Sequence, residues 1–434
     1  MNAPFVQAND AVLHAVAPET RASKVAGFDA MRAMAAFGVV LLHCCVPYMQ
    51  PAVPGLVWPV HDTADFFVAQ CFWTIELFIM PLFLVLAGFL AWNSIQRAGP
   101  LSLIRSRARR LLVPLLFGVV VILPLDLYAW LLGWVAEGLI PAQKLRSLKF
   151  DGGIDRDLWG LSHLWFLLYL FLYVVTLAAV NWAWHRMPTK RKRRVHPALA
   201  TALLVLIGCV TLYVRPEVVW GFQHRFLPVP SKWIYSGVFF ALGVLLARFD
   251  PNLEWLKSRA ARLVAPSLAF VLAALCLGSW HLQGGSSELA SMTLAVTTCF
   301  SATMVTLSII GVAAKRITRV PPVVGYLAAA SFWVYIVHHP ILGLVHIDLK
   351  WMLPSVSPVL KVALAFSVTL LCSLATYEVW VRRTALGRLL GFQWQIPTSG
   401  RAVARSADGE DVISMDSSRD FDEKTGSSST RRAA

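Results

Sequence analysis

Ten stretches of this chain are apolar for long enough to cross a bilayer, whose roughly 30 Å hydrocarbon core takes about 20 helical residues. They run over 30–49, 66–95, 110–135, 162–184, 198–214, 231–249, 263–281, 288–313, 325–346 and 357–381; the second is long and the fifth short. The pattern predicts an all-α polytopic membrane protein with about ten transmembrane helices. Before it stands a polar leader, residues 1–27, which mixes Asp, Glu, His, Arg and Lys and has no apolar core of a cleavable signal peptide. The membrane domain spans 28–385. The remainder, 386–434, reads as a disordered cytoplasmic tail, rich in Ser, Arg, Asp and Gly from Gln395 onward.

Composition agrees, at 57% hydrophobic, 15% charged and a mean hydropathy of +0.62, and excludes a soluble enzyme with a large core. Seventeen tryptophans suit the aromatic belts at both water boundaries. A net charge of +15 raises the question of nucleic acid, and its placement answers it. With the N-terminus inside, 30 of the 39 Lys and Arg fall in inner segments, including five between Arg97 and Arg110 and six in HRMPTKRKRRVH. The basic charge is therefore topology, with both termini cytoplasmic and no nucleic-acid partner. The seven cysteines (44, 45, 71, 209, 276, 299, 372) lie inside apolar segments, and no CxxC or Cys/His spacing predicts a metal site or a disulfide framework. No internal repeat or inverted pair of broken helices of the transporter kind is visible.

A few polar residues interrupt the apolar pattern. In FDAMRAMAAFGVVLLHCCVPY, Asp29 and Arg32 precede an apolar run broken only by His43. Arg32 and His43 are about three turns apart, roughly 16 Å along one helix face. A histidine there faces a cavity or a partner; a plain helix–helix hydrogen bond is an equal reading. In RSRARR, Arg107 and Arg110 share a helix face and suit a phosphorylated donor, although a positive-inside anchor explains them as well. His163 and Trp165 open the fourth span in GLSHLWFLLY, where the histidine also fits an aromatic belt. Tyr335 and His338 share a face in SFWVYIVHHPI, and Pro340 is expected to break that helix. Glu76 and Glu378 are intramembrane acids in need of partners, and Glu378 has Arg382 four residues on. The outer loops, 51–65 and 141–161, mix charge with aromatics, which suits either a sugar chain or, on composition, an ordinary solvated loop. Arginines inside and histidines towards the outer half suggest an anionic donor from the cytoplasm and proton chemistry deeper in, with a histidine as general base. No GxSxG elbow, HExxH pair or P-loop competes.

These residues in this order resemble the acyltransferase type 3 family of integral membrane proteins over about residues 25–385. The resemblance rests on Arg32-x10-His43, on LFIMPLFLVLAGFLAW (Leu77–Trp92), on Arg107-x-x-Arg110 with Pro114, on SFWVYIVHHPI and on Tyr377–Glu378. The family's SGF stands here as Ala87-Gly88-Phe89, without the serine hydroxyl. HLWFL, MPLF and VHHPI look most like the glucan-biosynthesis C group of bacterial envelopes, assigned as succinyltransferases of periplasmic glucans. The resemblance implies an O-acyltransferase of the bacterial inner (cytoplasmic) membrane, with acyl-CoA (succinyl-CoA or acetyl-CoA) as donor substrate and no permanently bound cofactor. Its partners would be the lipid bilayer, an envelope carbohydrate acceptor and glucan-synthesis proteins. It assigns Asp29, Arg32 and His43 to catalysis, with His43 as base or transient acyl carrier, and Arg107 and Arg110 to the donor. His163, Trp165, Tyr335, His338 and Glu378 become candidates for the acceptor side. The alternatives are an O-acetyltransferase of lipopolysaccharide, exopolysaccharide or peptidoglycan and, in another class, a transporter of glycan, solute or protons.

Overall fold

The computed structural model describes residues 17–146, 158–188, 196–223, 225–317 and 319–392, with side chains in the first helix from residue 27. Among the described residues all regular structure is helical. The main elements are α1 (Ala17–Cys45), α2 (Phe66–Phe117), α3 (Leu123–Ala136), α4 (Trp165–Arg186), α5 (Pro197–Val214), α6 (Pro230–Phe249), α7 (Glu254–Leu282), α8 (Glu288–Arg316), α9 (Pro322–Met352) and α10 (Pro358–Thr376). A π turn at Gly118–Ile122 joins α2 to α3, and a short α11 (Ala385–Leu389) follows α10 through a second, Tyr377–Val381. Asp65 caps α2 by accepting the Val68 N–H at 2.9 Å, and Ser287 caps α8 by accepting that of Ala290. Prolines open α5, α6, α9 and α10, where the missing N–H costs no helical bond.

Among the described residues nine helical runs are long and apolar enough to span a membrane, and one of them, Phe66–Ala136, covers 71 residues. As a straight rod it would reach roughly 106 Å, several times the bilayer thickness. Gly99 divides it, at φ 78° and ψ 169°, a conformation essentially confined to glycine, and Pro100 starts the next limb. The two limbs correspond to the second and third spans expected from the sequence, which restores ten crossings. Within the bundle α9 packs on α1, α10 and α3, while α2 packs on α6, α4 and α1. The α2–α6 contact is backbone to backbone. A Cβ at Gly88 would collide with the Phe240 carbonyl, and one at Gly243 with that of Val85.

Two expectations need correction. Pro340 does not break its helix, because α9 runs unbroken to Met352. The residues around Pro340 are buried on every side, and packed neighbours tolerate the lost hydrogen bond. The 51–65 loop is not a solvated loop. Val53, Trp58 and Val60 are buried, and Asp62 accepts a 2.7 Å bond from the buried Lys361 of α10. The described structure continues through α11 to Phe392. Phe392 stacks near Phe332, Trp333 and Tyr377. Most of the leader, residues 147–157 of the second outer loop, the basic run 189–195 and the tail from 393 lie outside the described residues.

Candidate active site

His43 lies in the last turn of α1, at the end away from Arg32, and meets imidazoles carried by α9 and by the turn before α4. His338 is fully buried, and His339, His346 and His163 are 4% exposed or less. Trp58 reaches in from the 51–65 loop, its ring stacked 6.0 Å from His43, and donates its indole N–H to His346 Nδ1 at 3.0 Å. Asp126 enters from α3, also buried, with His339 Nδ1 at 2.7 Å. His163 sits in a 3-10 turn, Ser162–Leu164, just before α4. Five histidines and one carboxylate thus share one enclosed space, which is costly in a bilayer unless the groups serve one another.

Hydrogen bonding fixes how His43 is presented. His338 Nδ1 lies 2.8 Å from the Tyr335 carbonyl and 3.2 Å from that of Val334, and carbonyl oxygens only accept. In the neutral ring Nδ1 therefore carries the proton and Nε2 is the acceptor. His338 Nε2 is 3.1 Å from His43 Nδ1, so His43 donates from Nδ1 and keeps its lone pair on Nε2. That is the tautomer a general base needs. The helix–helix hydrogen bond weighed in the sequence is real, and it leaves Nε2 out of that bond. By the same rule, His163 Nε2–H donates to the Ile336 carbonyl at 3.1 Å, and the Tyr335 hydroxyl donates to the His163 carbonyl.

Two cavities border this cluster. One, of about 50 Å³, is lined by His43, Glu76, His163, Trp165, Lys232 and Tyr335. It is well below the roughly 300–1,000 Å³ of whole-ligand sites and suits a reacting group only. The other, of about 340 Å³, is lined by Asp126, Trp130, Trp159, Ser162, Phe226 and His339 and falls within that range. Lys232 and Glu76 face the same cavity and lie within electrostatic reach of each other. The Lys232 ammonium lies 3.7 Å from the Trp165 ring centre and donates to the Gln223 carbonyl at 2.7 Å.

The arginines form a separate centre. Arg32 pairs with Asp29 at 3.1 Å, each side chain about half exposed. Arg107 lies within electrostatic reach of both Arg32 and Arg110, so three cations converge at the inner end of α1 and the start of the second α2 limb. Arg32 stands about three turns from His43, roughly 16 Å, and Asp29 about four turns, roughly 21 Å, so both belong to the arginine end. Glu378 does not join the histidines either. It accepts two bonds of 2.7 and 2.8 Å from Arg382, four residues on, at the inner end of the last span. His163, Trp165, Tyr335 and His338 do come together around His43.

Sequence reasoning missed Asp126, His339, His346, Trp58 and Lys232. Asp126 and Lys232 sit among apolar residues and aromatics with no local partner to mark them, and His339 hides beside the already chosen His338. No curated protein and no solved structure matches the chain. A family model described as an acyltransferase domain matches residues 25–378, a stretch that contains α1 from its arginine to its histidine and runs to the Glu378 of the last span. With that match over most of its length, this multi-pass membrane protein belongs to the acyltransferase type 3 family of O-acyltransferases.

Proposed function

We propose that this chain transfers a succinyl group from cytoplasmic succinyl-CoA to a hydroxyl of a periplasmic glucan, in the bacterial inner membrane. The observation that carries the chemistry is the His338–His43 hydrogen bond, which leaves His43 Nε2 as a lone-pair base on a cavity wall. The acceptor hydroxyl gives its proton to that nitrogen as its oxygen attacks the thioester carbonyl. The C–S bond breaks, and the coenzyme A thiolate leaves and takes up a proton. Direct transfer and a transient acyl-His43 both fit this arrangement. Arg107, Arg110 and Arg32 hold the phosphates of the donor at the inner end, where guanidinium groups favour anions. A succinyl group carries a second carboxylate, and Lys232, shared with Glu76 on the wall of the His43 cavity, is a cation suited to it. The larger cavity, with Trp130 and Trp159 in its lining, suits a sugar face.

The test is a mass spectrum of envelope glycans from cells that lack their own enzyme and express this chain. Succinyl additions to periplasmic glucan are expected, absent when His43→Ala is expressed at equal membrane level. Acetyl additions to lipopolysaccharide, exopolysaccharide or peptidoglycan would keep the enzyme and overturn the substrate. The absence of any acyl difference would overturn the proposal.

A further inference from the structure

Asp126, His163 and His339 come from α3, the turn before α4, and α9, and their ligand-type atoms all lie within 4.8 Å of one another. All three residues are 5% exposed or less. The His43 tautomer is set by His338, and the trio's own hydrogen bonding is incomplete. Asp126 Oδ1 and His163 Nδ1 have no hydrogen-bond partner among the described residues. His163 has already given its one N–H, on Nε2, to the Ile336 carbonyl, so Nδ1 is a lone pair aimed into the trio. Two buried electron-rich atoms thus have no donor among the described residues, which is costly unless a cation lies between them. A proton on His163 Nδ1 serves badly, because Asp126 Oδ2 is 3.7 Å away, beyond ordinary hydrogen-bond length.

From this geometry we infer that Asp126, His163 and His339 bind a divalent transition-metal ion of the zinc class. Two imidazoles and one carboxylate make the mixed nitrogen and oxygen set that such ions favour. Metal–ligand bonds of about 2.1 Å in a tetrahedron separate the ligand atoms by roughly 3.4 Å. The pairs here, 2.7 Å for His339–Asp126 and 3.7 Å for His163–Asp126, straddle that value, so side-chain shifts of less than about 1 Å bring both to it. The His163 Nε2–H bond to a backbone carbonyl is the outer bond that fixes a ligating imidazole in its tautomer. His339 ligates through Nδ1, its proton moving to Nε2. Three protein ligands leave a fourth position. Asp126, Ser162 and His339 all line the 340 Å³ cavity, so water or a hydroxyl of a bound molecule can fill it. The ligands are 37 and 176 residues apart in sequence, which is why no spacing motif announces them.

The test is metal content of full-length protein purified in detergent through a tag without histidine, without chelator. About one zinc-class ion per chain is expected by elemental mass spectrometry, falling to less than about a fifth in Asp126→Asn and in His163→Gln. His281→Ala, at the end of α7, should keep its metal. Chelator treatment should lower the melting temperature of the unaltered protein and added zinc should restore it, with no response in either variant. Cobalt should give the intense visible bands of a tetrahedral site. Unaltered protein that is metal-free, and whose melting and spectrum respond to neither zinc nor cobalt, would overturn the inference. Variants that fold and keep the metal would overturn it equally.

Discussion

At His43 the decisive contact is made by Nδ1, not by the nitrogen proposed as the base. His338, with Nδ1 committed to two carbonyls, can only accept at Nε2, and so it dictates the His43 tautomer. Removing it frees the imidazole to flip or change tautomer. His338→Ala is therefore expected to lower kcat on the order of 10- to 100-fold while leaving the KM for acyl-CoA unchanged, because the arginines proposed to hold the donor phosphates lie elsewhere. His338→Gln, which keeps an acceptor, should recover part of the loss. Steady-state kinetics on folded variants separates this positioning role from general destabilisation, which would lower the amount of active enzyme without such rescue. The sequence marked His43 and His338 because each breaks an apolar run at a place the family pattern uses. It could not mark Asp126, since a carboxylate becomes part of a histidine cluster only once α3 is laid against α9.

Among the elements, α2 and α6 depend on close approach. Gly88 and Gly243 let the two backbones touch, and each is opposed by a carbonyl of the other helix. A side chain at either point forces the helices apart, and α6 carries Lys232 to the His43 cavity. Gly243→Val is expected to destabilise the protein by about 1–3 kcal/mol, the range for overpacking, read as a lowered melting temperature in detergent. A melting curve that matches the unaltered protein would show that the contact is looser than described. The spans themselves were legible, because an apolar run of membrane length has few other readings. The effect of Pro340 was not. A proline's local cost is visible in sequence, but the surrounding helices that absorb it are not. The 51–65 loop was misread for a similar reason. Its prolines and charges look solvated until Asp62 meets Lys361 and Trp58 meets His346.

Across the whole molecule, the arginines gather at one end and the histidines at the other, with α1 carrying a member of each group. Placement of Lys and Arg sets the arginine end in the cytoplasm. Reporter fusions at residue 1 and after residue 392 should both read as cytoplasmic, with one inserted after Ala142 on the opposite side; any other combination contradicts the topology. Arg107→Ala/Arg110→Ala is expected to raise the KM for acyl-CoA by tenfold or more, with kcat at saturation largely kept, since a charge-assisted bond contributes about 1.5–3 kcal/mol. An unchanged KM would remove the donor from that end. The central claim is that His43 is the group that takes the acceptor's proton or carries the acyl chain. The most direct measurement is the acyl-transfer rate of purified His43→Ala in lipid nanodiscs, beside the unaltered enzyme at matched folding. A fall of about 10²–10⁴-fold is predicted, the usual contribution of a general base. A rate within twofold of the unaltered enzyme would contradict it.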